Sequence, residues 1–303
     1  MVMSLLFTTA NYTYLKSEIL HLVKWQEGLL ERTLFPDGEI YHRILSPIEN
    51  KSVILLGGTY TDAETLELID LSLGFIQQGV SELKIVIPYF GYATMERAVK
   101  TGEIVKAKTR ASLFSLLVPS STRVKIYLFD LHTEGIPYYF ELPLVTHHVY
   151  CKKLIASICS GIASDFVLAA TDAGRAKWVE SLAQDMHVES AYVFKNRINA
   201  TTTDISGIHA NVKNKVVIIY DDMIRSGTTL MKAAEAYHKS GASQVFAVCT
   251  HGVFCNQALE KMKLQGIIQA VHCTNSNPIS QSISNEFVKI HSLAGIIFEA
   301  VGE

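Results

Sequence analysis

Short apolar runs alternate with helix-like patterns along almost the whole chain. Eight runs have the length and residue types of buried strands: Val53–Leu56, Lys84–Ile87, Val124–Phe129, Phe166–Ala170, Ala191–Phe194, Val216–Tyr220, Val245–Cys249 and Ile268–His272. Six segments between them have helical patterns: Ala63–Gln77, Ala107–Leu117, Lys152–Ser160, Lys177–Gln184, Thr228–Lys239 and Gln257–Leu264. Continuous apolar strands that alternate with helices predict an α/β fold with parallel sheets covered on both faces. Functional side chains are then expected at the carboxyl ends of the strands.

The strand–helix layout occurs twice, which predicts two domains. The chain has 303 residues, enough for two domains of ordinary size, and 49% of them are hydrophobic, enough for buried cores. The joint falls near Pro143–Tyr150, where no low-complexity linker is present. We therefore expect domains at residues 1–146 and 147–303, tightly packed, with the active site between them.

Composition argues against several classes of protein. The formal net charge is −2 and the pI about 6.6, so no broad basic surface is expected to attract nucleic acid. The five cysteines show no spacing typical of a metal site, and we expect reduced thiols in a cytoplasmic protein. The first residues do not resemble a signal peptide, and no apolar run approaches the roughly 18–20 residues that span a membrane.

Residues 216–230 read as a strand, a small polar loop and the start of a helix. The apolar run ends in Asp221 and Asp222, whose carboxylates can accept hydrogen bonds from sugar hydroxyls. Four small or hydroxylated residues follow: Ser226, Gly227, Thr228 and Thr229. Their hydroxyls and backbone N–H groups suit a phosphate at a helix N-terminus, and Gly227 has no side chain to hinder its approach. The stretch therefore predicts a phosphosugar site.

This stretch resembles the signature that binds 5-phosphoribosyl diphosphate (PRPP) in type I phosphoribosyltransferases and PRPP synthetases. That signature is an apolar strand, Asp/Glu-Asp, two residues and then Asp-Thr-Gly-Gly-Thr. Here Arg225 replaces the usual Asp and Ser226 the usual Thr. The resemblance implies that the segment binds ribose 5-phosphate. Arg225 could fork onto the 5-phosphate or pair with Asp222, and the sequence leaves both roles open.

Residues Phe35–Tyr41, Phe-Pro-Asp-Gly-Glu-Ile-Tyr, have the composition of a turn. PRPP synthetases carry a very similar segment about this far from the start, where it contacts the adenine of ATP, commonly across a subunit interface. The resemblance implies that Phe35 stacks on the base and that Asp37 and Glu39 accept from its amino group. Gly38 belongs to the same ATP-binding segment.

Two further strand ends resemble parts of a Mg–ATP site. Asp130-Leu131-His132 is similar to the Asp-Leu-His segment of the synthetases, which implies that His132 supports the metal and the nucleotide. Thr171–Lys177 is similar to their Pro-Asp-Ala-Gly-Gly-Ala-Lys segment, with Arg175 in place of a glycine. Its Asp172 is implied to bind Mg²⁺, and capping the following helix is the alternative. Mg²⁺ prefers oxygen ligands and keeps water and substrate oxygens, so one or two protein ligands suffice.

Lys195 and Arg197 end another predicted strand and precede a polar stretch, Ile198–Ile205. Such cations on a loop are usually solvated. Their spacing, however, matches the Lys-x-Arg motif that begins the flexible catalytic loop of PRPP synthetases. The resemblance implies that both cations close over the transferring diphosphoryl group and neutralise its charge.

Residues 88–105 combine features of two subclasses of these synthetases. Their opening resembles class I, but Thr94 and Met95 replace the Arg-Gln pair that contacts ATP there. The Glu96-Arg97 pair looks more like class II, known best from plants, which makes Arg97 our candidate for the missing phosphate contact. Class II enzymes generally need no inorganic phosphate and accept several nucleoside triphosphates, and we expect that behaviour here.

The resemblance extends from about Phe35 to Gly295 with its motifs in one order. It implies two tandem type I phosphoribosyltransferase-like domains, the first binding ATP and the second ribose 5-phosphate. The implied activity is ribose-phosphate diphosphokinase, which moves the β,γ-diphosphoryl group of ATP to the anomeric hydroxyl of ribose 5-phosphate. The products are PRPP and AMP, the cofactor is Mg²⁺, and the protein is expected to form a homodimer or a larger homo-oligomer.

Two alternatives remain open. A type I phosphoribosyltransferase would share residues 216–230 but would not need the N-terminal half with Phe35 and His132. A catalytically impaired regulatory subunit would carry damaged catalytic positions. The chain departs from the synthetase pattern at four positions: Thr94, Met95, Arg175 and Arg225. Retention of the other site residues favours an enzyme.

Overall fold

The computed structural model describes residues 4–117, 122–197 and 203–302, with backbone alone for residues 194–197 and 203–209. The chain divides into two compact units. One comprises the residues up to Tyr150 together with the segment that begins at Ser292, and the other is Cys151–His291. Each unit contains its own sheet and its own hydrophobic core.

The first unit is built on a six-stranded parallel sheet. Its elements in chain order are β1 (Leu5–Thr8), α1 (Thr13–Leu22), β2 (Gln26–Glu27), β3 (Leu30–Leu34), β4 (Ile40–Ile44), β5 (Ser52–Leu56), α2 (Asp62–Gln77), β6 (Glu82–Ile87), α3 (Lys106–Phe114), β7 (Arg123–Phe129) and β8 (Val145–Val149). The sheet order is β2-β1-β5-β6-β7-β8, and all neighbouring strands are parallel. Strands β3 and β4 pair separately as an antiparallel hairpin.

The second unit is built on a seven-stranded sheet. Its elements are α4 (Lys152–Ile162), β9 (Val167–Ala170), α5 (Ala173–Met186), β10 (Glu189–Arg197), β11 (Thr203–His209), β12 (Val216–Ile224), α6 (Thr228–Lys239), β13 (Gln244–Gly252), α7 (Ala258–Gln265), β14 (Ile268–Thr274) and β15 (Val288–His291). The order is β11-β10-β9-β12-β13-β14-β15, and only the β10–β11 pair is antiparallel. The last helix, α8 (Ala294–Val301), belongs to the first unit.

The predicted α/β architecture is confirmed, as are all eight predicted strands and all six predicted helices. Two strands extend further at their carboxyl ends than the sequence predicts. The run that was expected to end at Tyr220 continues as β12 to Ile224, so the acidic pair lies in the strand and not in the loop. Likewise β10 extends to Arg197, and β11 begins at Thr203 within the stretch that was predicted to be a loop.

Burial explains which elements the sequence reveals. The central strands β5, β6, β9 and β12 are buried along most of their length, so they read as continuous apolar runs. The β3–β4 hairpin is largely exposed and has no such run. Within the described parts of the chain, no helix combines the length and apolar character needed to cross a membrane.

Candidate active site

The predicted phosphosugar loop lies where β12 ends and α6 begins. Gly227 has a backbone φ of +70°, a left-handed conformation that glycine adopts without strain, and it directly precedes α6. The glycine is buried, whereas Thr228 and Thr229 in the first helical turn are exposed. Ser226 Oγ lies 3.2 Å from Thr228 Oγ1. The loop therefore presents hydroxyls and the positive end of a 12-residue helix together, as an anion site requires.

The two acids of β12 differ in their exposure. The Asp222 side chain is 4% exposed and that of Asp221 is 23% exposed. Asp221 is held on both carboxylate oxygens, because Thr171 Oγ1 donates to Oδ2 at 3.0 Å and the Asp222 N–H donates to Oδ1 at 3.0 Å. The Asp221 carboxylate is thus held in position at this end of β12 by hydrogen bonds from Thr171 and from the Asp222 backbone.

A cation that the sequence did not place in this site pairs with both acids. Arg175, in the first turn of α5, ion-pairs with Asp222 Oδ1 through Nη2, and its Nε lies 3.6 Å from Asp221 Oδ1. Its side chain is only 16% exposed. In the sequence, Arg175 stands out only because it replaces a glycine of the similar segment. The contact depends on β9 and β12 being neighbours in the sheet, which a single sequence does not show.

Electrostatics at the acid pair favour a proton near neutral pH. The pKa of Asp221 is raised to about 7, first by burial and then by the nearby Asp222 carboxylate, while Arg175 and Thr171 act in the opposite direction. Burial by itself lowers the pKa of Arg175, but the charges of Asp222 and Asp221 reverse this, and its net pKa is raised. The guanidinium is therefore charged at every physiological pH.

Aromatic packing holds α5 against β12, next to the acid pair. The Trp178 ring stacks on Tyr220 with centroids 4.1 Å apart and an interplanar angle of 11°. The Tyr220 hydroxyl lies 3.1 Å from Thr250 Oγ1, and Tyr237 donates to the Ala170 carbonyl at 2.9 Å. Because Trp178 is one helical turn after Arg175, this stacking fixes the helix that carries the cation.

Asp172 caps α5. Its Oδ1 accepts a hydrogen bond from the Gly174 N–H at 3.0 Å. The alternative capping role is thus observed. Because a carboxylate has about four acceptor positions, capping does not prevent Asp172 from also binding a metal.

The predicted adenine segment forms the tip of the β3–β4 hairpin. The Phe35 N–H donates to the Glu39 carbonyl at 2.8 Å, and the Glu39 N–H donates to Asp37 Oδ1 at 3.1 Å. Gly38 adopts a φ of +94° in this turn. The Phe35 ring is 43% exposed and lies 6.2 Å, centroid to centroid, from that of Tyr41. A partly exposed aromatic ring on a well-ordered turn is suited to stack on a planar base.

His132 lies just beyond β7, in a polar cluster that the sequence did not predict. The preceding Asp130 is buried and has a φ of +37°. The Leu131 N–H donates to His148 Nε2 at 3.0 Å, so that nitrogen carries no proton. Burial lowers the pKa of His148, which keeps the ring neutral. Since His148 is on β8, only the pairing of β7 with β8 brings it here.

Arg97, the predicted phosphate contact, is exposed to solvent. Its Nε lies 3.6 Å from Glu96 Oε1, and its side chain is 78% exposed. Lys195 and Arg197 are at the end of β10, but their side chains lie outside the described residues. Their predicted contact with the diphosphoryl group stays a prediction.

Comparison with known proteins decides the family. A family model described as the N-terminal domain of ribose phosphate pyrophosphokinase matches residues 4–117, and one described as the phosphoribosyl synthetase-associated domain matches residues 198–302. A ribose-phosphate pyrophosphokinase of Thermotoga maritima is 30% identical over 292 residues, which are 95% of this chain and 90% of the relative. The chain belongs to the ribose-phosphate pyrophosphokinase family.

Plant members of the pyrophosphokinase family are about as similar. The chloroplastic ribose-phosphate pyrophosphokinase 2 of Spinacia oleracea is 30% identical over 289 residues, covering 92% of this chain and 71% of the relative. A crystal structure of phosphoribosylpyrophosphate synthetase from Mycobacterium smegmatis superposes with a TM-score of 0.86 at 21% identity, covering 99% of this chain and 98% of that one. That likeness confirms the fold.

Ribose-phosphate pyrophosphokinases generally depend on Mg²⁺, and the donor set of this chain fits an open site for that ion. Among the described residues there is no group of three or more His, Cys, Asp or Glu side chains placed to hold a metal. A closed protein cage, which Zn²⁺ would favour, is therefore not built there. Mg²⁺ is commonly held by one or two protein ligands together with substrate phosphates and water. His132 in the first unit and Asp172 in the second are each a predicted candidate for such a ligand.

Proposed function

We propose that this pyrophosphokinase-family chain transfers the β,γ-diphosphoryl group of ATP to the anomeric hydroxyl of ribose 5-phosphate, giving PRPP and AMP. The observation that carries the proposal is the acid pair Asp221–Asp222 placed directly before the loop and the N-terminus of α6. The comparisons give no support to a regulatory subunit, since the relatives described above are named as pyrophosphokinases or synthetases.

The sugar is bound at two points. Asp221 and Asp222 accept hydrogen bonds from the ring hydroxyls. The 5-phosphate lies against the N–H groups at the start of α6 and the hydroxyls of Ser226, Thr228 and Thr229. Fixing both ends of the sugar orients the anomeric hydroxyl for attack, which lowers the entropic part of the barrier.

The transfer itself needs charge neutralisation and no covalent intermediate. The anomeric oxygen forms a bond to the β-phosphorus, the bond from that phosphorus to the bridging oxygen breaks, and AMP leaves with that oxygen. The anomeric hydroxyl gives up its proton to solvent water as the new bond forms. Lys195, Arg197 and Arg97 are the cations assigned to the transferring group, and Arg225 is assigned to the 5-phosphate. Mg²⁺ would supply further positive charge at the polyphosphate, with His132 or Asp172 as its candidate protein ligand.

The hairpin tip binds the adenine. Phe35 stacks on the base, and Asp37 and Glu39 accept from its amino group, around the turn made by Gly38. A base stacked on one face of an exposed ring leaves its other face open to a second chain, which supports an adenine site shared between subunits of a homo-oligomer. Light scattering on the purified protein tests this, because a monomer at micromolar concentration contradicts a shared site.

Product analysis tests the activity. The purified protein is incubated with ATP, ribose 5-phosphate and Mg²⁺, and AMP and PRPP are quantified by anion-exchange chromatography. Equal amounts of AMP and PRPP are expected. Formation of neither product by protein that still binds ATP would contradict the proposal and favour a regulatory subunit.

The same assay with and without inorganic phosphate tests the subclass. We propose class II behaviour, with turnover that does not require phosphate and with several nucleoside triphosphates accepted. The support is the Glu96-Arg97 pair in place of the class I sequence. An absolute requirement for phosphate contradicts the subclass and leaves the activity intact.

A further inference from the structure

Arg175 is a half-buried cation beside the two acids that are proposed to bind the uncharged ring hydroxyls of the sugar. Its guanidinium pairs with Asp222 and lies 3.6 Å from Asp221, the two acids assigned to the ring hydroxyls. In the synthetase segment that Thr171–Lys177 resembles, a glycine stands at this position, and a glycine has no side chain to make such contacts. Arg175 therefore adds a group to the sugar site of this chain.

Two roles are compatible with an ion pair in this place. Arg175 could compete with the sugar for the carboxylates, so that substrate must displace it. Alternatively, it could remain paired and hold both carboxylates as acceptors. The two roles predict opposite effects of removing the guanidinium on the affinity for ribose 5-phosphate.

We propose that Arg175 is a positioning residue that holds the carboxylates of Asp221 and Asp222 together as a pair of hydrogen-bond acceptors for the ring hydroxyls. The inference rests on the proposed function, because it assigns a role within the same sugar site. Arg175 acts through the two acids and needs no contact with the substrate.

Three observations favour the holding role. First, the acids are adjacent in sequence and partly buried, so their mutual repulsion is large unless a cation lies beside both. Second, a carboxylate has about four acceptor positions, and the hydrogen bonds from Thr171 and from the Asp222 N–H occupy two of those of Asp221, which leaves capacity for a hydroxyl donor beside Arg175. Third, Asp172 caps α5 and Trp178 stacks on Tyr220, so the helix that carries Arg175 is held at both sides of the cation.

Holding the acids together has a chemical consequence for the substrate. An ionised carboxylate is an acceptor only, whereas a protonated one also donates and no longer matches two hydroxyl donors. A site built to bond a hydroxyl rejects an analogue that lacks it. Arg175 should therefore increase the preference for ribose 5-phosphate over 2-deoxyribose 5-phosphate, which lacks one ring hydroxyl.

The test compares Arg175→Gln, Arg175→Lys and Lys239→Gln with the wild type. Lys239→Gln is a matched loss of one positive charge in the same unit, because Lys239 pairs with Glu235 on the surface and is 71% exposed. KM and kcat are measured for ribose 5-phosphate, for 2-deoxyribose 5-phosphate and for ATP. Thermal denaturation checks that each variant is folded.

For Arg175→Gln we expect the KM for ribose 5-phosphate to rise by about tenfold or more, because a displaced carboxylate loses a charge-assisted hydrogen bond with a ring hydroxyl. We expect a smaller change in kcat and an unchanged KM for ATP. The ratio of kcat/KM for ribose 5-phosphate to kcat/KM for its 2-deoxy analogue should decrease. A merely structural role would not decrease that ratio. Arg175→Lys should be intermediate, because an ammonium keeps the charge but cannot fork onto two acids. Lys239→Gln should match the wild type.

Several results overturn the inference. A lower KM for ribose 5-phosphate in Arg175→Gln shows that the guanidinium competes with the sugar. An unchanged KM and an unchanged sugar preference show that it has no role in binding. If Arg175→Gln does not fold, Arg175→Lys provides the test. A folded lysine variant with the same KM and the same sugar preference as the wild type overturns the holding role. Wild-type protein that neither turns over nor binds ribose 5-phosphate overturns the proposed function as well, whereas active wild type with unaffected variants overturns this inference alone.

Discussion

Two glycines of the second unit have the same backbone conformation but differ in the space around them. Alanine substitutions at both therefore separate the cost of backbone strain from the cost of steric crowding. Gly227 and Gly266 both have a φ of +70°. A Cβ at Gly227 would lie 2.1 Å from Met262 Cε, whereas a Cβ at Gly266 would have no heavy atom within 4 Å. Because both residues lie in the same compact unit, one unfolding transition can report both.

The magnitudes follow from these two differences. An alanine in the left-handed region costs about 1–2 kcal/mol, and this cost is common to Gly227→Ala and Gly266→Ala. Crowding a packed core costs a further 1–3 kcal/mol or so, and Met262 is fully buried but flexible, so we expect the lower part of that range. Gly227→Ala should therefore lower the free energy of unfolding by about 2–4 kcal/mol, roughly 1–2 kcal/mol more than Gly266→Ala.

Urea denaturation followed by fluorescence measures both values, and steady-state kinetics measures the KM for ribose 5-phosphate. Gly227→Ala should raise that KM, because the loop at the start of α6 is displaced, whereas Gly266→Ala should leave it unchanged. Equal losses of stability in the two variants would refute the crowding at Gly227. Unequal stability with an unchanged KM in both would refute the role of the loop in sugar binding.

Three further predictions concern other parts of the chain. The buried ammonium of Lys84 donates to the Val301 carbonyl at 2.8 Å, at the end of α8. Lys84→Met should therefore lower the free energy of unfolding by about 1–3 kcal/mol, and Lys125→Met, at a more exposed position, should lower it less. Equal midpoints of urea denaturation for the two variants would contradict this. Since the pKa of Asp221 is raised to about 7, its carboxylate becomes protonated as pH falls through neutrality, and the ratio of the affinities for ribose 5-phosphate and its 2-deoxy analogue should fall as well. Asp221→Asn, which cannot titrate there, should show a constant ratio from pH 6 to 8. A constant ratio in the wild type would contradict the role of the Asp221 carboxylate. Phe35→Ala should raise the KM for ATP severalfold with little change in stability, because the ring is 43% exposed, and an unchanged KM would remove Phe35 from the adenine site.

The sequence predicts the central strands and the place of the acid pair well, because burial on both faces leaves a continuous apolar run. Val216–Tyr220 is such a run, and the acids that follow it lie at the carboxyl end of the sheet as expected. The hairpin around Phe35 was predicted only as a turn, since its strands are largely exposed and carry no apolar pattern.

The parts that the sequence did not predict depend on contacts between distant segments. Arg175 meets the acid pair because β9 and β12 are adjacent strands, and His148 meets the Asp130–His132 segment because β7 pairs with β8. Both residues lie in polar stretches that carry no periodic signal. Only the assembled sheet shows that Arg175 contacts the acid pair.

The fate of a labelled phosphorus tests the central claim most directly. ATP labelled at the β-phosphorus is incubated with the protein, ribose 5-phosphate and Mg²⁺, and the products are separated. Transfer of a diphosphoryl group predicts that the label leaves the adenine nucleotide, appears in the sugar product and is matched by an equal amount of unlabelled AMP. Label that remains in ADP while the sugar gains a single phosphoryl group would contradict the account.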